Sequence, residues 1–405
     1  MKQIIKYTCG LILILTTFSC DKLDISSIQA DSFIKLYGSG SKEIGVDVKS
    51  FNNGYILLAT TTHPNREDTD IVLIKTDKYG NQKGDVDTID SGGDDVAGKL
   101  LLTDDGGFII IGTISDTTNR ISDDVNNLDY KKFYQDIYIA KYNSGGEIDW
   151  RDTVGVKDVN EQAKAIKKAQ TGYIIAGSTD RNGSRDVYLV KIYDSGVFDW
   201  DNTFGGDKDD YASDIIMHAD GYLIIGTSNG YDSFTGLGKF DILLIKTNFT
   251  GGETHSHVYG GIYNDYGNSV VETNDGFVFT GSKENIIGDD ADIYVAKIDK
   301  ENLLEIIWNK SFGDNLYDQG FDILKNENGF TVAGNYEISN GTSAAYFLNI
   351  DSEGNELFEN ILGSYNQSVN SIERISDGSY IMIGNSGQEG NEMICLMKLN
   401  NDGEL

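Results

Sequence analysis

Three aspartates, Asp47, Asp214 and Asp322, each stand two places after a small residue (Gly45, Ala212, Gly320) in three stretches of similar sequence. Carboxylates brought to one place form the donor set of a hard cation such as calcium. Aspartates at the start of a strand also accept hydrogen bonds from turn amides, which needs no ligand and is the simpler account. The acidic clusters Asp94-Asp95, Asp207 with Asp209-Asp210, and Asp289-Asp290 lack the spacing of an EF-hand loop. No cofactor is expected, and calcium is the one ion worth naming. The four histidines, His63, His218, His255 and His257, have no partners at the spacing of a zinc site or a Ser-His-Asp triad. His255 and His257 read as two side chains of one strand. Neither a phosphate-cradling glycine loop nor a nucleophile elbow occurs, so no catalytic residue is assigned. Aromatic side chains are the other resource. Tyr130, Phe133 and Tyr134 lie in one long segment and Tyr231 and Phe234 in another, where exposed rings can stack on sugars or anchor a protein. Tyr211, Tyr266 and Tyr317 recur between repeats, where packing between sheets is the simpler account.

What must position these residues is a repeat. An aromatic at Tyr55, Phe108, Tyr173, Tyr222, Phe277, Phe330 and Tyr380 is followed four places later by Ala59, Gly112, Gly177, Gly226, Gly281, Gly334 and Gly384. Each unit divides into four short strands. The first carries a small residue (Gly45, Ala97, Ala163, Ala212, Gly267, Gly320, Val369) and, three places on, an apolar one. A tight turn such as Asn53-Gly54 or Asp105-Gly106 leads to a near-continuous apolar strand whose glycine implies close approach of another backbone. The third strand reads Asp-apolar-aromatic-apolar-apolar-Lys in Asp136 to Lys141, Asp186 to Lys191 and Asp292 to Lys297, and drifts to Ala344 and Met393 in units six and seven. A fourth strand is marked by Trp150, Trp200, Trp308 or Phe358. Sheets apolar on both faces must cover one another, and seven in a ring make an all-β, seven-bladed propeller of four-stranded antiparallel blades. The last unit reaches its turn at Asn401-Asp402-Gly403 without a fourth strand, while residues 32 to 37 match a fourth strand without a unit. The N-terminal strand is therefore expected to complete the last blade.

In such a ring the turns between strands one and two, and three and four, share one face. The opposite face carries the connections that vary: Ser115 to Gln135, Ser228 to Phe240 and Lys283 to Ala291. Length variation on a strict scaffold is where ligand specificity resides. The candidate ligand-binding residues are therefore Tyr130, Phe133, Tyr134, Tyr231 and Phe234, with the axial set Asp47, Asp214 and Asp322.

Composition sets further bounds. The chain has 405 residues with 39% hydrophobic content, 23 tyrosines and a single proline, as suits a globular β protein. Residues 1–19 combine Lys2 and Lys6 with the apolar run Leu11 to Leu15 and read as a signal peptide too short to span a membrane. Without them 31 basic residues face 64 acidic ones, a net charge of −33 that repels nucleic acid. Cys395 falls where other units have a strand tyrosine, and is expected to be a buried filler with no disulfide partner.

Thr17-Phe18-Ser19-Cys20 resembles the lipobox of bacterial lipoproteins. That resemblance implies cleavage before Cys20, lipid (palmitate) on its thiol, and residues 20–31 as a tether to a propeller of residues 32–405. The repeat set Tyr/Phe-Gly-Gly, Asp-Gly-Tyr-Ile-Ile-Ala-Gly and Asp-Ile-Tyr-Leu-Val-Lys resembles the propeller-like repeats of Bacteroidetes lipoproteins and secreted proteins. It implies the fold and an outer-membrane address, on the surface or the periplasmic face. The expected function is a non-catalytic binding or scaffolding module for glycan or protein, with the membrane as partner through Cys20 and nucleic acid excluded. The alternative is a carbohydrate-active lyase or hydrolase with its site on the variable-loop face.

Overall fold

A computed structural model describes residues 32–38, 40–63, 66–116, 134–230, 240–286, 290–339, 341–363 and 366–405. Seven antiparallel four-stranded sheets form a ring, a seven-bladed β-propeller. In blade three, for example, Glu161–Lys168, Tyr173–Thr179, Asp186–Ile192 and Phe198–Phe204 follow one another from the inner to the outer edge. The inner strands of consecutive blades touch all round, with Gln367–Arg374 of the seventh against Glu43–Phe51 of the first. The seventh blade takes its outer strand from the N-terminus. Phe33–Tyr37 pairs with Asn391–Leu399 in the register Phe33↔Lys398 to Tyr37↔Ile394. This closure is the one expected from the sequence.

The core lies between blades. Second and third strands are buried almost throughout, and each hydrophobic cluster joins two neighbouring sheets, as where Ile174, Ala176, Val187 and Leu189 meet Ile215, Tyr222, Ile224 and Leu243. The strand glycines answer a distinct need. In all seven blades the pairing of inner and second strand shifts by one residue just after the small residue, a β-bulge. The bulge presses a carbonyl onto the second strand: a Cβ on Gly177 would lie 1.7 Å from the Gln162 oxygen, and one on Gly281 1.8 Å from that of Tyr266.

Two expectations need correction. The first hairpin turns at Asn52 and Asn53, both at positive φ, and not at Asn53-Gly54; Gly54 already belongs to the strand, where a Cβ would meet the Thr76 carbonyl at 2.0 Å. The insertion in blade five is largely an extended hairpin, since Lys283↔Asp292, Glu284↔Ala291 and Ile286↔Asp290 continue the ladder. The outer tryptophans also bind blades together. A Cβ on Gly196 would lie 2.6 Å from the Trp150 ring of the preceding blade, and Gly354 stands to Trp308 in the same way at 2.7 Å.

Candidate functional site

Asp47, Asp214 and Asp322 lie just past the bulge of their inner strands. Each carboxylate accepts the amide of the following residue and that of the matching residue one blade on. Asp47 takes Val48 (3.0 Å) and Leu100 (2.9 Å). Asp214 takes Ile215 (2.8 Å) and Val270 (3.3 Å), and Asp322 takes Ile323 (3.0 Å) and Ile372 (3.1 Å). Two hydroxyls link the three. Ser371 Oγ lies 2.7 Å from Asp47 and 3.1 Å from Asp322, and Ser269 Oγ lies 3.1 Å from Asp214 and 3.0 Å from Asp322. Lysines supply the counter-charge: Lys49 at 3.3 Å and Lys99 at 3.8 Å from Asp47, Lys167 at 3.7 Å from Asp214. Burial would raise the Asp47 carboxyl, but the two lysines, the Ser371 hydroxyl and the Leu100 amide outweigh it and hold it at about 2. The axis is thus a hydrogen-bonded belt with its carboxylates already engaged by amides, hydroxyls and ammonium groups.

A second set of residues, of which Asp95 and Asp210 stand out in the sequence only as members of acidic clusters, sits in one register two places before the small residue. Glu43, Asp95, Glu161, Asp210, Asp265, Asp318 and Gln367 open the seven inner strands, and all are at most 4% exposed. They fasten the turn between blades. Asp210 accepts the Gly206 amide (3.0 Å), and Asp318 those of Asp314 (3.1 Å) and Glu337 (2.7 Å). Facing them is the aspartate that starts the preceding blade's third strand. A Cβ on the first turn glycine would collide with it: Gly155 lies in this way 1.9 Å from Asp136 Oδ1, Gly205 2.3 Å from Asp186, and Gly260 1.7 Å from Asp241. The two sequence motifs, Gly-Gly and the strand-opening Asp, are therefore halves of one junction. Burial, with the facing carboxylate adding to it, raises Asp210, moves Asp265 to about 7 and Glu161 to about 8.

The structure also gathers His63, Asp70 and Asp90, whose donor atoms lie within 4.8 Å of one another, a grouping without a sequence signature because three different strands and loops supply it. Arg66 pairs with both carboxylates there, at 2.9 Å from Asp90 and 3.4 Å from Asp70. His255 and His257 follow the simpler reading: they share a face of Glu253–Tyr259, with His255 opposite Lys246 where Trp150 and Trp200 stand opposite Lys141 and Lys191. Cys395 is fully buried opposite Gly384, the place of Tyr188 opposite Gly177, and burial pushes its thiol up to about 12.

On the variable-loop face, Tyr211 at the head of one inner strand and Tyr266 at the head of the next hold Phe240 between them. The ring centres are 6.0 and 5.9 Å apart, the second pair nearly parallel at 29°, and the Arg185 guanidinium stands 5.9 Å from Tyr211. The three rings are half-buried and so keep open surface. Tyr317 is also half-buried, its hydroxyl 3.4 Å from Glu284. Tyr134 opens the strand Tyr134–Tyr142, paired with Asp116, and is half-buried. Tyr130, Phe133, Tyr231, Phe234 and Cys20 lie outside the described residues. Elsewhere, a cleft of about 860 Å³ opens on the outer flank where the first blade's outer strand, Asp87–Ile89, is short; Lys75, Tyr138 and Arg151 line it.

No family model matches the chain, and no curated protein matches it by sequence. Among solved structures it is similar to the β-propeller domain of the Trilobed protease from Pyrococcus furiosus (9% identity, 90% of this chain and 97% of that one, TM-score 0.50). It is also similar to an ulvan lyase representing a new family of polysaccharide lyases (12% identity, 91% and 96% covered, TM-score 0.52). At such identities the likeness is one of fold. The Pyrococcus domain is described as having an open velcro topology, whereas Phe33–Tyr37 closes the ring here.

Proposed function

We propose that this chain is a lipid-anchored propeller of the outer envelope that binds glycan or protein on its variable-loop face without catalysing a reaction. One observation carries the ligand reading: Tyr211, Phe240 and Tyr266 form a half-buried aromatic row across two blades, bordered by Arg185. A row of partly exposed rings with a cationic group beside it suits a sugar chain or an extended protein segment. The anchor rests on the resemblance of Thr17 to Cys20 to a lipobox. The acidic surface steers the protein away from polyanions and towards neutral or basic ligands.

Glycan-array and protein-partner binding by the purified chain, beside Tyr211→Ala and Tyr266→Ala, tests the reading. Each ring contributes about 0.5–1.5 kcal/mol beyond its buried area, so removing both should weaken binding about tenfold or more. Unchanged affinity in the double variant refutes the aromatic row. A product assay on the same sugars separates the classes, since turnover would replace the binding module with a carbohydrate-active enzyme.

A further inference from the structure

A tyrosine in the third strand of blade two lacks what its counterparts have. Tyr138, Tyr188 and Tyr346 share one register, opposite Gly112, Gly177 and Gly334. In blades three and six a carboxylate on the outer strand accepts the tyrosine hydroxyl: Asp201 takes Tyr188 at 2.6 Å, and Glu359 takes Tyr346. In blade three the Arg181 guanidinium completes the group, 2.8 Å from the same Asp201 oxygen and 3.0 Å from the Tyr188 hydroxyl. Blade two has the tyrosine and a guanidinium but no acid, because the register of Asp201, opposite Val190, is filled by Arg151, opposite Ala140. Tyr138 is 5% exposed and its hydroxyl has no hydrogen-bond partner among the described residues. Burial raises its pKa and Arg151 acts to lower it, but a guanidinium only donates, so the hydroxyl proton finds no acceptor. A buried donor left in this state is costly and uncommon. Arg151 is itself exposed, and acids around it are engaged elsewhere: Asp87 by Lys75, Asp90 by Arg66 and Asp149 by Lys141.

Tyr138 and Arg151 both line the cleft of about 860 Å³ that opens where the outer strand of blade one, Asp87–Ile89, is short. We propose that this cleft binds a small molecule through a single carboxylate, held between the Tyr138 hydroxyl and the Arg151 guanidinium. The ligand's carboxylate takes the part that Asp201 plays between Tyr188 and Arg181, accepting from the hydroxyl and from the guanidinium together. The hydroxyl is out of contact with water in the free chain, so the exposed Arg151 arm turns to admit the ligand. Ile89 and Ile148 give the cleft apolar flanks, and its size suits a sugar acid or an aromatic acid. The other cation there, Lys75, is already held by Asp87 at 3.2 Å and by the Gly146 carbonyl at 2.9 Å. Glu147 and Asp152 also line the cleft and favour a ligand with one negative charge over a polyanion. Blades one and two form this site, so it stands apart from the aromatic row on blades four and five.

The test titrates the whole purified chain by calorimetry with glucuronate, with benzoate and, as the uncharged match to the first, with glucose. One or both acids should bind saturably at millimolar concentration and glucose should not; the preference between the acids tells a hydroxylated ligand from an apolar one. Arg151→Ala should weaken binding about tenfold or more. Tyr138→Phe should weaken it several-fold without lowering the melting temperature, because no partner is lost, whereas Tyr188→Phe, which deserts Asp201, should melt lower. Arg151→Asp puts a carboxylate of the chain itself where blade three has Asp201, and should abolish binding while the protein melts no lower than wild type. The proposal is overturned if neither acid binds, if glucose binds as well as glucuronate, or if Arg151→Ala and Tyr138→Phe both bind as wild type does. A lower melting temperature in Tyr138→Phe shows that the hydroxyl is satisfied within the fold and also overturns it.

Discussion

Replacing Asp47 by alanine tests whether the axis is a structural belt. The carboxylate is fully buried and holds two amides, Val48 in its own blade and Leu100 in the next, besides the Ser371 hydroxyl and the ammonium groups of Lys49 and Lys99. Each stranded buried amide costs about 1–3 kcal/mol. Ser371 keeps Asp322 as an acceptor, and the lysines, with side chains 22% and 24% exposed, remain partly hydrated and add little. The sum is about 3–5 kcal/mol, at the high end for a single substitution. With an unfolding entropy of roughly 2.1 cal/mol/K per residue, a ring of this length loses about 1.3 °C per kcal/mol, so the melting temperature should fall by about 4–6 °C. The acid limb gives a second reading. The fold holds Asp47 at about 2, below its ordinary 3.8, so its ionised form stabilises the fold above the ordinary value. That contribution, about 2 kcal/mol, is lost as pH falls from about 4 towards 2. The gap between wild type and Asp47→Ala should therefore narrow on acidification. Differential scanning calorimetry across neutral to acidic pH reads both. A melting temperature within about 1 °C of wild type, or a gap independent of pH, refutes the reasoning.

Two further outcomes follow from the same geometry. Deleting residues 32–37, with the preceding chain rejoined, removes the outer strand of the seventh blade and the packing of Phe33, Ile34 and Tyr37. It should lower the melting temperature by roughly 5–10 °C and promote self-association through the exposed edge, read by scanning fluorimetry and size-exclusion chromatography; an unchanged melting temperature rules out a stabilising closure. Gly205→Ala places a methyl 2.3 Å from Asp186 Oδ1 and should cost about 1–3 kcal/mol, part of which Asp186→Ala in the same chain relieves. Simple additivity in that double-mutant cycle of denaturant midpoints would show that the two motifs are not coupled.

How much of this was legible is plain from particular residues. The blade count, the strand order and the closing strand were all readable, because a fixed register of aromatic, glycine and tight turn leaves local choices few and repeats them seven times. Asp47, Asp214 and Asp322 were visible as a register, and so was their approach to the axis. Their partners were not: Leu100, Val270 and Ile372 lie one blade on, and Ser371 reaches Asp47 across the seam of the ring. The acids that open the inner strands were legible too, by the same alignment, but a carboxylate next to other carboxylates on an acidic chain gives no sign of being buried.

The sequence by itself determined the periodicity, and with it the sheets, their number and the need to stack, since alternation and turn chemistry act within a few residues. Only the tertiary structure decided which side chains meet: Asp241 with the turn glycine Gly260, Tyr211 with Tyr266 across Phe240, His63 with Asp70 and Asp90. Contacts between blades join residues tens of positions apart, and their distances are fixed by how sheets twist and pack around the axis, which the residues of one repeat do not encode alone.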